Sequence, residues 1–164
     1  MRIIGIDPGT VTCGYGIVEI AKKRGGTPLY VTAGDVKMNR KEGLPERLKV
    51  LYNSLKSIIE EFRPSSLCIE KIFYHKSIRS AMALGYTRGI VMLLAAENDI
   101  PLFEYNPTEL KMALTGYGRA EKRQVQEMVK RILNLNSSHG KFSEDSTDAL
   151  ALCICHINSS QHPR

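Results

Sequence analysis

Apolar residues fall along this chain in two periods. Ile3, Ile4 and Ile6, with Gly5 among them, make a short run that stops at Asp7-Pro8-Gly9, the pattern of a strand buried on both faces and closed by a turn. Residues 13–20 (C-G-Y-G-I-V-E-I) read as a second strand, and the turn K-K-R-G-G-T-P leads to a third over 29–38. Three strands joined by short turns imply an antiparallel meander. The period then changes. Leu48, Leu51, Leu55, Ile58, Ile59 and Phe62 recur at helical spacing between Leu44 and Phe62, and Pro64 ends that helix. A short apolar strand follows at 66–70, a helix apolar on more than one face at 78–97, and a strand at 101–105. Helices are expected at 107–115, 121–134 and 144–158. A meander followed by strand–helix units predicts an α/β fold, with a mixed five-stranded sheet and helices on its faces. Residues 1–158 are expected to form one domain and 159–164 a flexible polar tail.

Composition narrows the classes. The 164 residues suffice for a core without staples, and no apolar run is long enough to span a membrane. The N-terminus enters a strand directly and lacks a signal-peptide pattern. The four cysteines lie in apolar stretches, and Cys153 and Cys155 point to different helix faces, so they read as buried thiols of a reducing, cytoplasmic compartment. The net charge of +6 gathers in clusters. These are Lys22, Lys23 and Arg24; Lys37, Arg40 and Lys41; His75, Lys76 and Arg79; and Lys111 with Arg119, Lys122, Arg123, Lys130 and Arg131. One such cluster is ordinarily a solvated face. Several in a small chain favour a nucleic-acid partner.

Against this basic background, carboxylates stand at the ends of apolar elements. Asp7 ends the first strand and Glu70 the fourth, where sites of α/β sheets gather. By itself Asp7 before Pro-Gly is ordinary turn chemistry, and Glu70 an ordinary solvated strand end. The last helix opens S-E-D-S-T-D-A-L-A-L, with Asp145 and Asp148 on one face. Ser143 and the first-turn acids suit a helix start, but Asp148 sits deeper and no cation in its own segment serves it. Four carboxylates from three distant segments thus have a reason to converge, and their hard oxygens suit Mg²⁺ or Mn²⁺. Two such ions clamp the attacking and leaving oxygens in phosphodiester hydrolysis. Phe73 and Tyr74 follow Glu70 closely in E-K-I-F-Y-H-K-S, among Lys71, His75 and Lys76. One ring could continue the core, but a loop beside the site would let them stack on bases and wedge a branched duplex open.

The stretches I-G-I-D-P-G-T, I-E-K-I-F, L-G-Y-T-R-G, P-L-F-E-Y, G-R-A-E-K-R-Q-V-Q-E-M-V and D-S-T-D-A-L-A-L resemble those of the RuvC-family Holliday-junction resolvases, over nearly the whole chain. The resemblance implies a ribonuclease-H-like fold and a structure-specific endonuclease that resolves four-way DNA junctions by paired symmetric nicks in recombination and repair. It implies two Mg²⁺ ions per active site, with Mn²⁺ as a substitute, held by the catalytic acids Asp7, Glu70, Asp145 and Asp148. Lys122 is then catalytic, and the DNA-binding set is Phe73, Tyr74, Lys76, Arg79, Lys111, Arg119, Lys122 and Arg123. Some members carry histidine at the position matching Asp145, which leaves open whether Glu144 or His139 assists. A homodimer working with the RuvA–RuvB branch-migration machinery is also implied. The helix at 78–97 has more apolar and small faces than a surface helix needs, which fits either the dimer interface or a helix buried within the monomer.

Three other readings share features with this one. G-I-D-P-G-T resembles the first phosphate loop of actin-like ATPases, which need two such domains. YqgF-type nucleases share the first motif but act on ribosomal RNA. A catalytically silent DNA-binding module would have no use for the four acids.

Overall fold

The computed structural model describes residues 1–21, 26–71, 78–136 and 139–161, apart from the side chains of Arg79 and Gln161. Five strands, β1 (Arg2–Asp7), β2 (Thr12–Glu19), β3 (Leu29–Lys37), β4 (Ser66–Glu70) and β5 (Leu102–Tyr105), form one sheet in the order β3-β2-β1-β4-β5. The first three make the expected antiparallel meander, while β1 with β4 and β4 with β5 are parallel. The helices are α1 (Leu44–Phe62), α2 (Ile78–Glu97), α3 (Pro107–Thr115), α4 (Lys122–Ile132) and α5 (Glu144–Gln161).

Strand alternation divides the core in two. Ile4, Ile6, Ile17, Leu67 and Ile69 point to one face and pack with Leu51, Leu55 and Ile59 of α1 and Val91 and Leu94 of α2. Ile3, Val18 and Cys68 point to the other, against α5 and the α3–α4 pair. All four cysteines are buried free thiols, as expected.

The helix boundaries have local causes. Arg63 closes α1 in the left-handed region at φ 46°, donating its N–H to Ile59 O, directly before Pro64. A capping box between Asn106 and Glu109 opens α3, with Pro107 in its first turn. Helix α4 stops at Ile132, before the expected 134, where Asn134 takes a φ of 51°. The helix α5 continues to Gln161, so part of the expected tail is helical. Asn158 donates to Ala113 O at 2.8 Å, which anchors that last turn to α3.

What lets α5 lie so close to the sheet is missing side chains. A Cβ on Gly5 would stand 2.0 Å from Ala149 O, and one on Gly14 would stand 2.2 Å from the Asp145 carbonyl. A Cβ on Gly16 would meet Leu150. Backbone cannot yield as a side-chain tip can, so Gly5→Ala must push α5 outward. The expected cost is about 1–3 kcal/mol, a fall of roughly 3–10 °C in Tm for a chain of this size. A thermal melt of Gly5→Ala that matches the unsubstituted protein would contradict this packing.

Candidate metal and nucleic-acid site

The registers place the site. Asp7 pairs with Gly14 across β1–β2, and Gly14 pairs with Asp35 across β2–β3. On the other side Ile6 pairs with Ile69, which sets Glu70 beside Asp7, and Glu70 pairs with Tyr105. Paired residues share a face. Asp35, Gly14, Asp7, Glu70 and Tyr105 therefore form one row across all five strands, on the face that carries α5. The gap above Gly14 is filled by the main chain at Asp145, the start of α5. Asp148, one turn on, is half-buried over the same row. The carboxylates thus converge through backbone geometry.

Their electrostatics record that convergence. Burial, reinforced by the charges of Asp148, Asp145 and Glu70, pushes the Asp7 carboxyl up to about 7. Burial also raises Asp145, with Asp35 the next largest cause, and it raises Asp148. Lys122 opposes these shifts. Its ammonium lies 2.9 Å from Asp148 Oδ2 and 3.0 Å from Glu144 Oε2. Burial works against the Lys122 charge, but its bonds to Asp148 and Glu144 outweigh this and hold its pKa above the ordinary lysine value. Sequence reading found no cation for Asp148 within α5; the structure supplies one from the first residue of α4. A cleft of about 240 Å³ opens here, lined by Asp7, Glu70, Asp148, Lys111 and Lys122 over an apolar floor that includes Leu110, Val125 and Leu152.

A family model described as "Crossover junction endodeoxyribonuclease RuvC" matches residues 3–156. The chain belongs to this family. A relative of that name from Ralstonia pickettii (strain 12J) is 43% identical over 161 residues, covering 98% of this chain and 86% of its own. Another from Pseudothermotoga lettingae is 41% identical over 95% of this chain and 93% of its own. Among solved structures, Thermus thermophilus RuvC in complex with Holliday junction substrate superposes with a TM-score of 0.90. It is 28% identical, with 98% of this chain and 95% of that chain covered. The ribonuclease-H-like fold expected from the sequence is the fold of these RuvC structures.

The remaining expected residues divide. Lys111 of α3 and Lys122 line the cleft, whereas Arg119 and Arg123 are exposed outside its lining, and Arg123 pairs with Glu127 one turn on at 3.1 Å. Phe73, Tyr74 and Lys76, with His75 and the Lys22–Arg24 cluster, lie outside the described residues, as does the Arg79 side chain. Glu144 holds Lys122, while His139 contacts Asn136 at 2.9 Å and the Tyr30 ring at 5.4 Å between centroids. Asp35 is the residue sequence reading missed. It accepts from Ser143 Oγ at 2.6 Å, and that same oxygen caps α5 by accepting from the Ser146 N–H at 3.0 Å. Its place in the row follows from the Gly14–Asp35 pairing of β2 with β3, which lies beyond a register shift at Ile17/Val18.

The donor set suits a hard divalent cation: carboxylate oxygens, with a half-buried Asp7 whose charge the chain's own lysines do not offset. Among the described residues, no three acids stand close enough to form a ready ion cage.

The Asp7 shift gives a pH dependence. Its carboxyl rises from an ordinary 3.8 to about 7 on folding, so the native chain holds this proton more tightly than the unfolded chain. The stability it contributes is present at low pH and lost as pH rises through that window. In chelator, Asp7→Asn is expected to exceed the unsubstituted protein at pH 8 by roughly 1–3 kcal/mol, discounting for partial exposure. The advantage should vanish near pH 4. Melts in which Asp7→Asn is the less stable protein at pH 8 would refute this account.

Proposed function

We propose that this chain is a metal-dependent endonuclease that resolves four-way DNA junctions by paired symmetric nicks in recombination and repair. The observation that carries the reading is the row of acids beneath the start of α5, flanked by Lys111 and Lys122, in a chain that matches the crossover junction endodeoxyribonuclease family almost end to end. Asp7, Glu70, Asp145 and Asp148 would hold Mg²⁺, with Mn²⁺ able to replace it. Two such ions supply, when bound, neutralisation of charge on the attacking and leaving oxygens of the scissile phosphodiester.

The chain's own residues do the rest. Lys122, in the cleft lining and held by Asp148 and Glu144, stays charged at any working pH and would offer that charge to a non-bridging phosphate oxygen. Lys111 provides a second cation from α3. The apolar floor of Leu110, Val125 and Leu152 keeps the acids' inner side dry and strengthens each charge interaction. Arg119 and Arg123 extend the basic surface along the DNA arms, and Phe73 and Tyr74, just after Glu70, are assigned to the junction core.

Asp7→Asn should abolish nicking of a synthetic four-way junction in Mg²⁺ while retaining its binding, because a ligand is lost and the basic surface is not. Chelator should do the same to the unsubstituted protein. Nicking by Asp7→Asn near the unsubstituted rate would sink the reading, as would preferential cleavage of structured RNA.

Paired nicks require two active sites. On α2 the residues Ile78, Met82, Tyr86, Met92 and Leu93 are exposed, and nothing lies within 4 Å of where a Cβ on Gly85 or Gly89 would stand. Small residues between large apolar ones let a second helix approach closely, so this face is assigned to a homodimer. The opposite side of α2, with Val91 and Leu94, is buried in the protomer, so the helix serves both surfaces. Met82→Glu with Leu93→Glu should leave a folded monomer by sedimentation whose nicks are no longer paired. A dimer that survives both substitutions would place the interface elsewhere. Cooperation with the RuvA–RuvB machinery, in the cytoplasm, completes the proposal. No helix among the described residues is long and apolar enough to cross a membrane.

A further inference from the structure

Arg88 is a buried guanidinium that the reading above does not use. It projects from the inner side of α2. One of its terminal nitrogens donates to the main-chain carbonyl of Glu70 and the other to the carboxylate of Glu104 on β5. Both acceptors belong to the parallel end of the sheet, where Glu104 pairs with Ile69 and Tyr105 with Glu70. The strand β4 ends at Glu70, and the next residue, Lys71, still bonds through its N–H to Tyr105 O at 2.8 Å. The Glu70 peptide is thus held from the β5 side by the sheet and from the α2 side by Arg88.

We infer that Arg88 is a positioning residue: it fixes the main chain that carries the Glu70 carboxylate, and so sets where that carboxylate stands relative to Asp7. This rests on the assignment of Glu70 to the metal site. A buried guanidinium fits the task because its planar fork meets two acceptors at a fixed angle, which an ammonium cannot do. The fork joins α2, whose outer side is apolar and exposed, to the strand end beside Asp7. The seat of α2 on the sheet and the position of Glu70 are therefore set together.

The test compares three proteins: unsubstituted, Arg88→Lys, and Arg88→Met with Glu104→Gln. The double variant removes the pair without leaving a buried charge unpaired. Mn²⁺ alone, without DNA, is titrated into each and followed by electron paramagnetic resonance. Thermal melts and sedimentation establish that the fold and association state are retained. The double variant should bind Mn²⁺ about 10-fold more weakly, and its nicking rate at saturating four-way junction should fall about 10- to 100-fold, the usual range for groups that orient a metal ligand. Its junction affinity in chelator should stay within about 2-fold, since the basic surface is untouched. Arg88→Lys should recover part of the Mn²⁺ affinity by keeping one of the two bonds. A folded double variant with unsubstituted Mn²⁺ affinity overturns the inference, and so does a loss of Mn²⁺ affinity no larger than the loss of junction binding. The Mn²⁺ arm decides the matter even if the unsubstituted protein fails to nick junctions, which would instead refute the proposed function.

Discussion

Asp7 stands among other carboxylates because the main chain puts it there, against the preference of the side chains themselves. Like charges at close range in a half-buried site repel, and the Asp7 carboxyl, pushed up to about 7, carries the result. What holds the acids together is the contact between the start of α5 and strands β1 and β2. There Gly5, Gly14 and Gly16 let helix backbone rest on sheet backbone, with Ala149 and Asp145 seated where side chains would otherwise be. The stability of that apolar contact, which runs on through Leu150, Leu152 and Ile154, offsets the repulsion the site needs.

The cations are arranged to temper this repulsion without cancelling it. Lys122 reaches in from the first turn of α4 and takes Asp148, which lines the cleft, and the exposed Glu144. Asp7, deeper in the row, keeps a raised pKa despite the lowering influence of Lys122. Asp35 adds a further acid at the far end of the row, but its carboxylate is engaged by Ser143, which also caps α5. That bond makes Asp35 part of the device that fixes the direction of α5, and Asp145 is the second residue of that helix.

Much of this was legible beforehand, for reasons that can be named. Strand ends show in the sequence because an apolar run stops at a charged residue, so Asp7 and Glu70 could be singled out. Asp145 and Asp148 share a helix face whatever the tertiary structure. Whether Asp7 and Glu70 are neighbours depended on β1 pairing with β4, which only the structure supplies. Asp35 escaped because its place depends on the register of β2 with β3, and one residue of slip would turn it to the other face. Lys122 as the partner of Asp148 escaped because their contact joins two helices at an angle that no local pattern encodes. The end of α5 was placed short because Asn158 through Gln161 look polar, whereas the bond from Asn158 to Ala113 O gives that turn a tertiary partner. Arg88 lies in an apolar helix with no acid one turn away on either side to mark it. Only the approach of β5 to β4 supplies its two acceptors.

The two faces of the sheet then have separate work. The α5 face carries the acids and, through α3 and α4, the lysines; the opposite face carries α1 and α2. Alternation along β1 makes the division unavoidable, since Ile4 and Ile6 must pack under α1 and α2 if Gly5 and Asp7 are to lie under α5. The exposed apolar side of α2 consequently faces away from the sheet, on the opposite side from the acids. Arg88 ties this side of the sheet to the end of β4, through its bonds to the Glu70 carbonyl and to the Glu104 carboxylate of β5.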